Sequence, residues 1–94
     1  MSKISVHCRK SNSEWTCEVS VDDSSGQSDH TVTVPKSAYE TLTNGNAGVE
    51  ELVEESFHYL LEREPLESIL PEFEIMTIER YFPDYPAEIR DRLG

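Results

Sequence analysis

Positive charge is scarce in this chain. Only 8 lysines and arginines stand against 19 aspartates and glutamates over 94 residues, a formal net charge of −11, and such a field repels phosphate backbones and anionic headgroups. Nucleic acid and membrane surfaces are therefore not expected as partners. Long apolar runs are also missing. Clusters such as Tyr59-Leu60-Leu61 fall far short of the roughly 20 residues of a membrane span. The opening MSKISVHCRK has no apolar core, because Ile4 and Val6 alternate with Ser5 and His7; it does not read as a secretory signal, and a cytoplasmic location is expected. Cysteine is limited to Cys8 and Cys17. That is too few for a disulfide framework, and the pair lacks the close spacing of a zinc knuckle or a redox CxxC. A chain of this length supports one domain with one core and no separate catalytic domain.

What is present begins with a period of two. Ile4, Val6 and Cys8, then Trp15, Cys17, Val19 and Val21, then Val32 and Val34 alternate with polar residues, which predicts three half-buried strands over residues 3–35. Ser11-Asn12-Ser13 and the serine-rich run from Asp23 to Ser28 have turn-forming composition, so an antiparallel meander connects them. With Asn12-Ser13 as the first loop, Cys8 faces Cys17, Val6 faces Val19 and Ile4 faces Val21, whereas a slip of one residue would set core against solvent. This register brings the two thiols together on the buried face. They are expected to be reduced, structural cysteines in a cytoplasmic core. A zinc site made from Cys8, Cys17 and His30 would share that inward parity but lacks any close ligand pair.

Ser37-Ala38-Tyr39-Glu40 fits a capping box, predicting a short helix over 37–43 that stops at Asn44-Gly45. The main helix is expected over 49–63, with Glu50 and Glu51 at the positive end of its dipole, Arg63 at the negative end, and Pro65 forcing the stop. Val49, Val53, Phe57 and Leu60 form its apolar stripe. Opposite lie Glu51, Glu54, Glu55, His58 and Glu62. Glu55-Ser56-Phe57-His58 is an ExxH, the spacing with which di-iron bundles share a metal, but such bundles need two inward copies. Here one copy points outward, so the face reads as solvated and acidic, a surface that steers a basic partner. From residue 65 to 94 the chain breaks into short proline-punctuated helical pieces: a turn at 66–70, a helix over about 75–82 and a final turn at 87–93. Phe73, Tyr81, Phe82 and Tyr85 gather there, and these rings either close the core or dock a partner.

No GxSxG, phosphate loop, HExxH or Rossmann fingerprint occurs, and no cofactor is expected. SFHYLLEREPLESIL followed by IERYFPDYPAEI resembles a family of small uncharacterised prokaryotic proteins that share the order of N-terminal strands, a helix ending in LLEREP, then ESIL and RYFP. The resemblance covers most of the chain and implies a shared fold and a bacterial or archaeal origin; it carries over no catalytic residue. The expectation is therefore an α+β domain with a three-stranded antiparallel sheet packed on one main helix. Its expected function is that of a non-enzymatic protein-interaction module of the antitoxin, inhibitor or complex-subunit type. Glu51, Glu54, Glu55, His58, Glu62, Tyr81, Phe82 and Tyr85 would meet a basic protein partner or a second copy in a homodimer. The alternative is a small metal-binding or redox protein using Glu55, His58 and Glu62, or Cys8 and Cys17.

Overall fold

A computed structural model describes residues 3–24 and 26–94. Strands β1 (Lys3–Ser11), β2 (Glu14–Asp23) and β3 (Gly26–Pro35) form the expected antiparallel meander. Its first hairpin has the predicted register, with Cys8 opposite Cys17, Val6 opposite Val19 and Ile4 opposite Val21. Asn12 takes a left-handed φ of 47° in the turn, a conformation its short polar side chain tolerates. The second turn is tighter than its serine-rich composition suggests, since Asp23 already pairs with Gly26; Ser25 lies outside the described residues.

The sheet has four strands, not three. Glu72–Glu74 (β4) adds to β3 in parallel, fixed by Thr31 N–H donating to the Pro71 carbonyl at 2.8 Å and Ile75 N–H to the Thr33 carbonyl at 2.9 Å. Three residues between a proline and a helix show no period that sequence reading can detect; the strand exists because β3 offers a free edge. The sheet is thus mixed, with β1 and β4 at its two edges.

Helix α1 spans Lys36–Thr43 and α2 spans Val49–Arg63. The capping box at Ser37 does not form. The N-cap position is Pro35, without a side-chain cap, because the strand runs straight into the helix and Ser37 falls inside its first turn, where its hydroxyl cannot act as the cap; Lys36 N–H donates to the Ser13 carbonyl at 2.8 Å. Asn44 closes α1 in the left-handed conformation and Gly45 follows at φ 78°, where a side chain would be strained. Glu64 is extended, as its place before Pro65 requires. Beyond it come a 3-10 turn at Leu66–Ser68, then α3 (Thr77–Tyr81) and α4 (Tyr85–Leu93).

The core lies between the sheet's inner face and α2, where Cys17, Val19, Val32 and Val34 meet Leu52, Val53 and Phe57, all buried, and Ile75, Ile78, Tyr85 and Ile89 close the end. The outer face, with Lys3, Ser5, His7, Arg9, Glu18 and Ser20 exposed, stays polar. Among the described residues no helix is long and apolar enough to cross a membrane.

The expectation of reduced cysteines is overturned. Cys8 and Cys17 are joined by a disulfide, S–S 2.02 Å, with their Cα atoms 4.0 Å apart. Directly opposed residues of a non-hydrogen-bonded antiparallel pair stand closest together, about 4.5 Å between Cα atoms. Two thiols in that position on one face are already within bonding reach, and this proximity, present in the predicted register, outweighs the expectation of reduction drawn from compartment. The inward zinc site is excluded by the same bond, since neither sulfur is a thiolate.

Candidate functional site

The wet side of α2 is where the sequence places it, but it is not bare. Glu51 and Glu54 are exposed, while Glu55 and His58 are half-buried. Helix α4 lies alongside and contributes Arg92, whose Nη2 donates to the Glu62 carboxylate at 2.6 Å and whose Nη1 is 4.0 Å from Glu55. Arg63 adds contacts to Glu62 at 3.3 Å and to Glu88 at 3.8 Å, with its guanidinium 3.7 Å from the centre of the Tyr59 ring. The hydrogen bond from Arg92 holds the Glu62 carboxyl below its ordinary range, and Glu62 in turn holds Arg92 above its own. Because the Glu62 side chain is 53% exposed, solvent limits this pair to about 0.2–1 kcal/mol.

This arrangement breaks up the proposed metal set. Glu62 is taken by arginine, so Glu55, His58 and Glu62 do not converge; instead Glu54, Glu55 and His58 have ligand atoms within 4.8 Å of one another. That is the separation expected of neighbours on one helix face, and exposed acids commonly show it.

The aromatic tail divides. Tyr85 is fully buried, its ring 5.3 Å from that of Tyr59 and its hydroxyl 2.6 Å from Ser56 Oγ; burial pushes its pKa up. Tyr85 is thus a core residue that no partner can reach. Phe82 is half-buried and packs edge-on against Tyr59. Tyr81 is 65% exposed.

Tyr81 and Phe82 open onto a groove that the sequence did not reveal. It is about 160 Å³ and is lined by Leu60, Ile69, Leu70, Phe73, Ile78, Tyr81 and Phe82, with Glu64, Ser68 and Thr77. Its walls follow from local chemistry: Pro65 ends α2, the 3-10 turn reverses the chain, and Pro71 delivers it to β4. The buried ring of His30 then clamps the wall. Its Nδ1 lies 2.7 Å from the Leu70 carbonyl, and because a carbonyl only accepts, Nδ1 carries the proton. In the neutral ring Nε2 accepts from the Ser28 hydroxyl at 2.5 Å. With the Leu70 and Pro71 carbonyls both held by β3, the Leu70 side chain is turned outward and stays 45% exposed. Leu70 and Tyr81 are the large exposed apolar side chains of the described structure, and both border this groove. A signal did exist in the sequence, in the apolar residues between Pro65 and Pro83, but their shared destination depends on β4.

No protein-family model matches this chain, and no curated protein or solved structure matches it either.

Proposed function

We propose that this chain is a non-enzymatic protein-interaction module whose docking site is the groove between the end of α2, β4 and α3, and that its partner presents an apolar side chain from a basic segment. The observation that carries this reading is a coincidence of chemistry. The exposed Leu70 and Tyr81 flank one concavity, and between Leu60 and Phe82, which bound its lining, Glu62, Glu64, Glu67, Glu72, Glu74 and Glu79 outnumber Arg63 and Arg80. The volume of about 160 Å³ is near that of a cavity that admits benzene, roughly 150 Å³, and below the roughly 300 Å³ at which small-molecule sites begin. It suits one anchoring side chain better than a substrate or cofactor. Antitoxin, inhibitor and complex-subunit roles are all forms of this reading. The test is capture from a native lysate of the organism that encodes the chain. A partner held at low salt, released at high salt and lost when Leu70→Ser and Tyr81→Ser are combined supports the proposal. Equal retention by that double variant rejects the groove.

A redox role for Cys8 and Cys17 is the second reading, favoured by their disulfide. Full burial of Cys17 shields it from an attacking thiolate, so this reading ranks below the first. The disulfide also weighs against the reducing cytoplasm expected from the sequence.

A further inference from the structure

The opposite end of the sheet from the groove is β1, and its edge is open. Cys8 and Cys17 form a closely spaced, non-hydrogen-bonded pair, their Cα atoms 4.0 Å apart, and this parity dictates the rest of the ladder. Ile4, Val6, Cys8 and Lys10 turn their N–H and C=O groups away from β2, while Ser5, His7 and Arg9 exchange theirs with it. The register runs without a bulge from Lys3 opposite Asp22 to Ser11 opposite Glu14, and β1 contains no proline. Among the described residues, no backbone hydrogen bond outside the β1–β2 ladder reaches residues 3–11. Such an edge is a template for another strand.

We propose that a second copy of this chain pairs with it, β1 against β1, antiparallel about a two-fold axis through His7. The charge of the edge strand argues for self-association. In a chain of net charge −11, β1 carries Lys3, Arg9 and Lys10 and no acid, and β2 beside it carries Glu14, Glu18, Asp22 and Asp23, with Arg9 3.9 Å from Glu18. The edge strand itself bears no acid, so two copies meet β1 to β1 without setting acid against acid. The edge at β4, by contrast, presents Glu72 and Glu74.

Charge also selects the register. With the axis at His7, all nine residues of β1 pair: Lys3 faces Ser11 of the second copy, Lys10 faces Ile4 and Arg9 faces Ser5, so each cation meets an uncharged residue. An axis at Val6 would set Lys3 against Arg9, and like charges directly opposed are destabilising; one at Cys8 would use fewer residues. The product is one continuous sheet with a groove at each far end. This assembly is independent of what the groove binds.

The axis makes a positional prediction. His7 and its symmetry mate form a non-hydrogen-bonded pair with Cα atoms about 4.5 Å apart, while Ser5 and its mate lie four positions apart, roughly 13 Å along the strands. Both are exposed, so substitution there leaves the fold intact. With the native disulfide left oxidised, His7→Cys is expected to give a covalent dimer on mild oxidation, and Ser5→Cys is not. Sedimentation of the unsubstituted chain should give twice the 10.7 kDa mass as concentration rises. Val6→Pro removes an N–H that points away from β2, keeps the β1–β2 ladder, and should return the mass to one chain. Equal cross-linking of the His7→Cys and Ser5→Cys variants, or a single-chain mass at every concentration, overturns the proposal.

Discussion

Removing the Ser56 hydroxyl should destabilise this protein more than removing the Tyr85 hydroxyl it touches, although one hydrogen bond joins the two. Ser56 Oγ has a single proton, and its 2.7 Å contact with the Leu52 carbonyl uses it. Tyr85 is therefore the donor in the 2.6 Å bond between the hydroxyls. Both groups are fully buried. In Ser56→Ala the phenol keeps its proton but loses its acceptor, at a cost of about 1–3 kcal/mol for an unsatisfied buried donor, offset by roughly 0.5 kcal/mol from the better helix propensity of alanine. In Tyr85→Phe, Ser56 still donates to Leu52, so the loss is that of one ordinary hydrogen bond, about 0.5–1.5 kcal/mol. The double variant leaves apolar groups facing each other and should cost less than the sum of the singles by about 1 kcal/mol. In a domain of this size 1 kcal/mol moves Tm by about 4–8 °C, so thermal or urea unfolding followed by circular dichroism resolves the order. A second signature lies at high pH. The Tyr85 pKa is raised by burial, so its contribution is complete below the unfolded value near 10 and is lost as pH rises through the folded value; Tyr85→Phe should flatten this alkaline limb. Additive single effects, or Ser56→Ala no worse than Tyr85→Phe, would refute the donor assignment.

Further outcomes follow from the other contacts. Reducing the Cys8–Cys17 disulfide, whose partners are nine positions apart, should lower stability by at most about 2–3 kcal/mol on the loop-entropy model, because the hairpin ladder already holds the strands; unfolding with and without reductant measures it, and thiol titration should find none before reduction and two after. The Glu62 carboxyl is held down by Arg92, so its contribution is present above the ordinary glutamate pKa and is lost as pH falls through the folded value. Arg92→Met should remove about 0.2–1 kcal/mol at neutral pH and flatten the acid limb of stability. His30→Leu strands the Leu70 carbonyl and should cost about 1–3 kcal/mol, with faster amide exchange from Ile69 to Phe73; unchanged exchange there would show that β4 alone holds the groove wall.

The legibility of this fold depended on the range of the interactions involved. Alternation from Ile4 to Val21 predicted strands, faces and register together, because with a period of two a single slip inverts every side chain. The limits of α2 were readable from Val49 to Pro65 for an equally local reason. What was illegible was long-range. β4 is made by the edge of β3, the Ser37 cap is lost because β3 runs directly into α1, and Arg92 reaches Glu62 from a helix thirty positions on. Among the named site residues, Glu51, Glu54 and Tyr81 are exposed, Glu62 is paired and Tyr85 is buried. The tail's aromatics looked alike in sequence, and only the fold distinguishes the ring that closes the core from the ring that faces out.

The groove is tested most directly by amide chemical shifts of isotope-labelled protein during titration with a short amphipathic peptide carrying one leucine among lysines. A matched peptide with glutamates in place of the lysines serves as the comparison. Saturable shifts confined to Leu60, Ile69–Phe73 and Thr77–Phe82 are expected with the lysine peptide, weakened by salt and abolished by Leu70→Ser with Tyr81→Ser. Equal response to the glutamate peptide, or shifts that follow the exposed acids of α2 and leave the groove unchanged, would contradict that expectation.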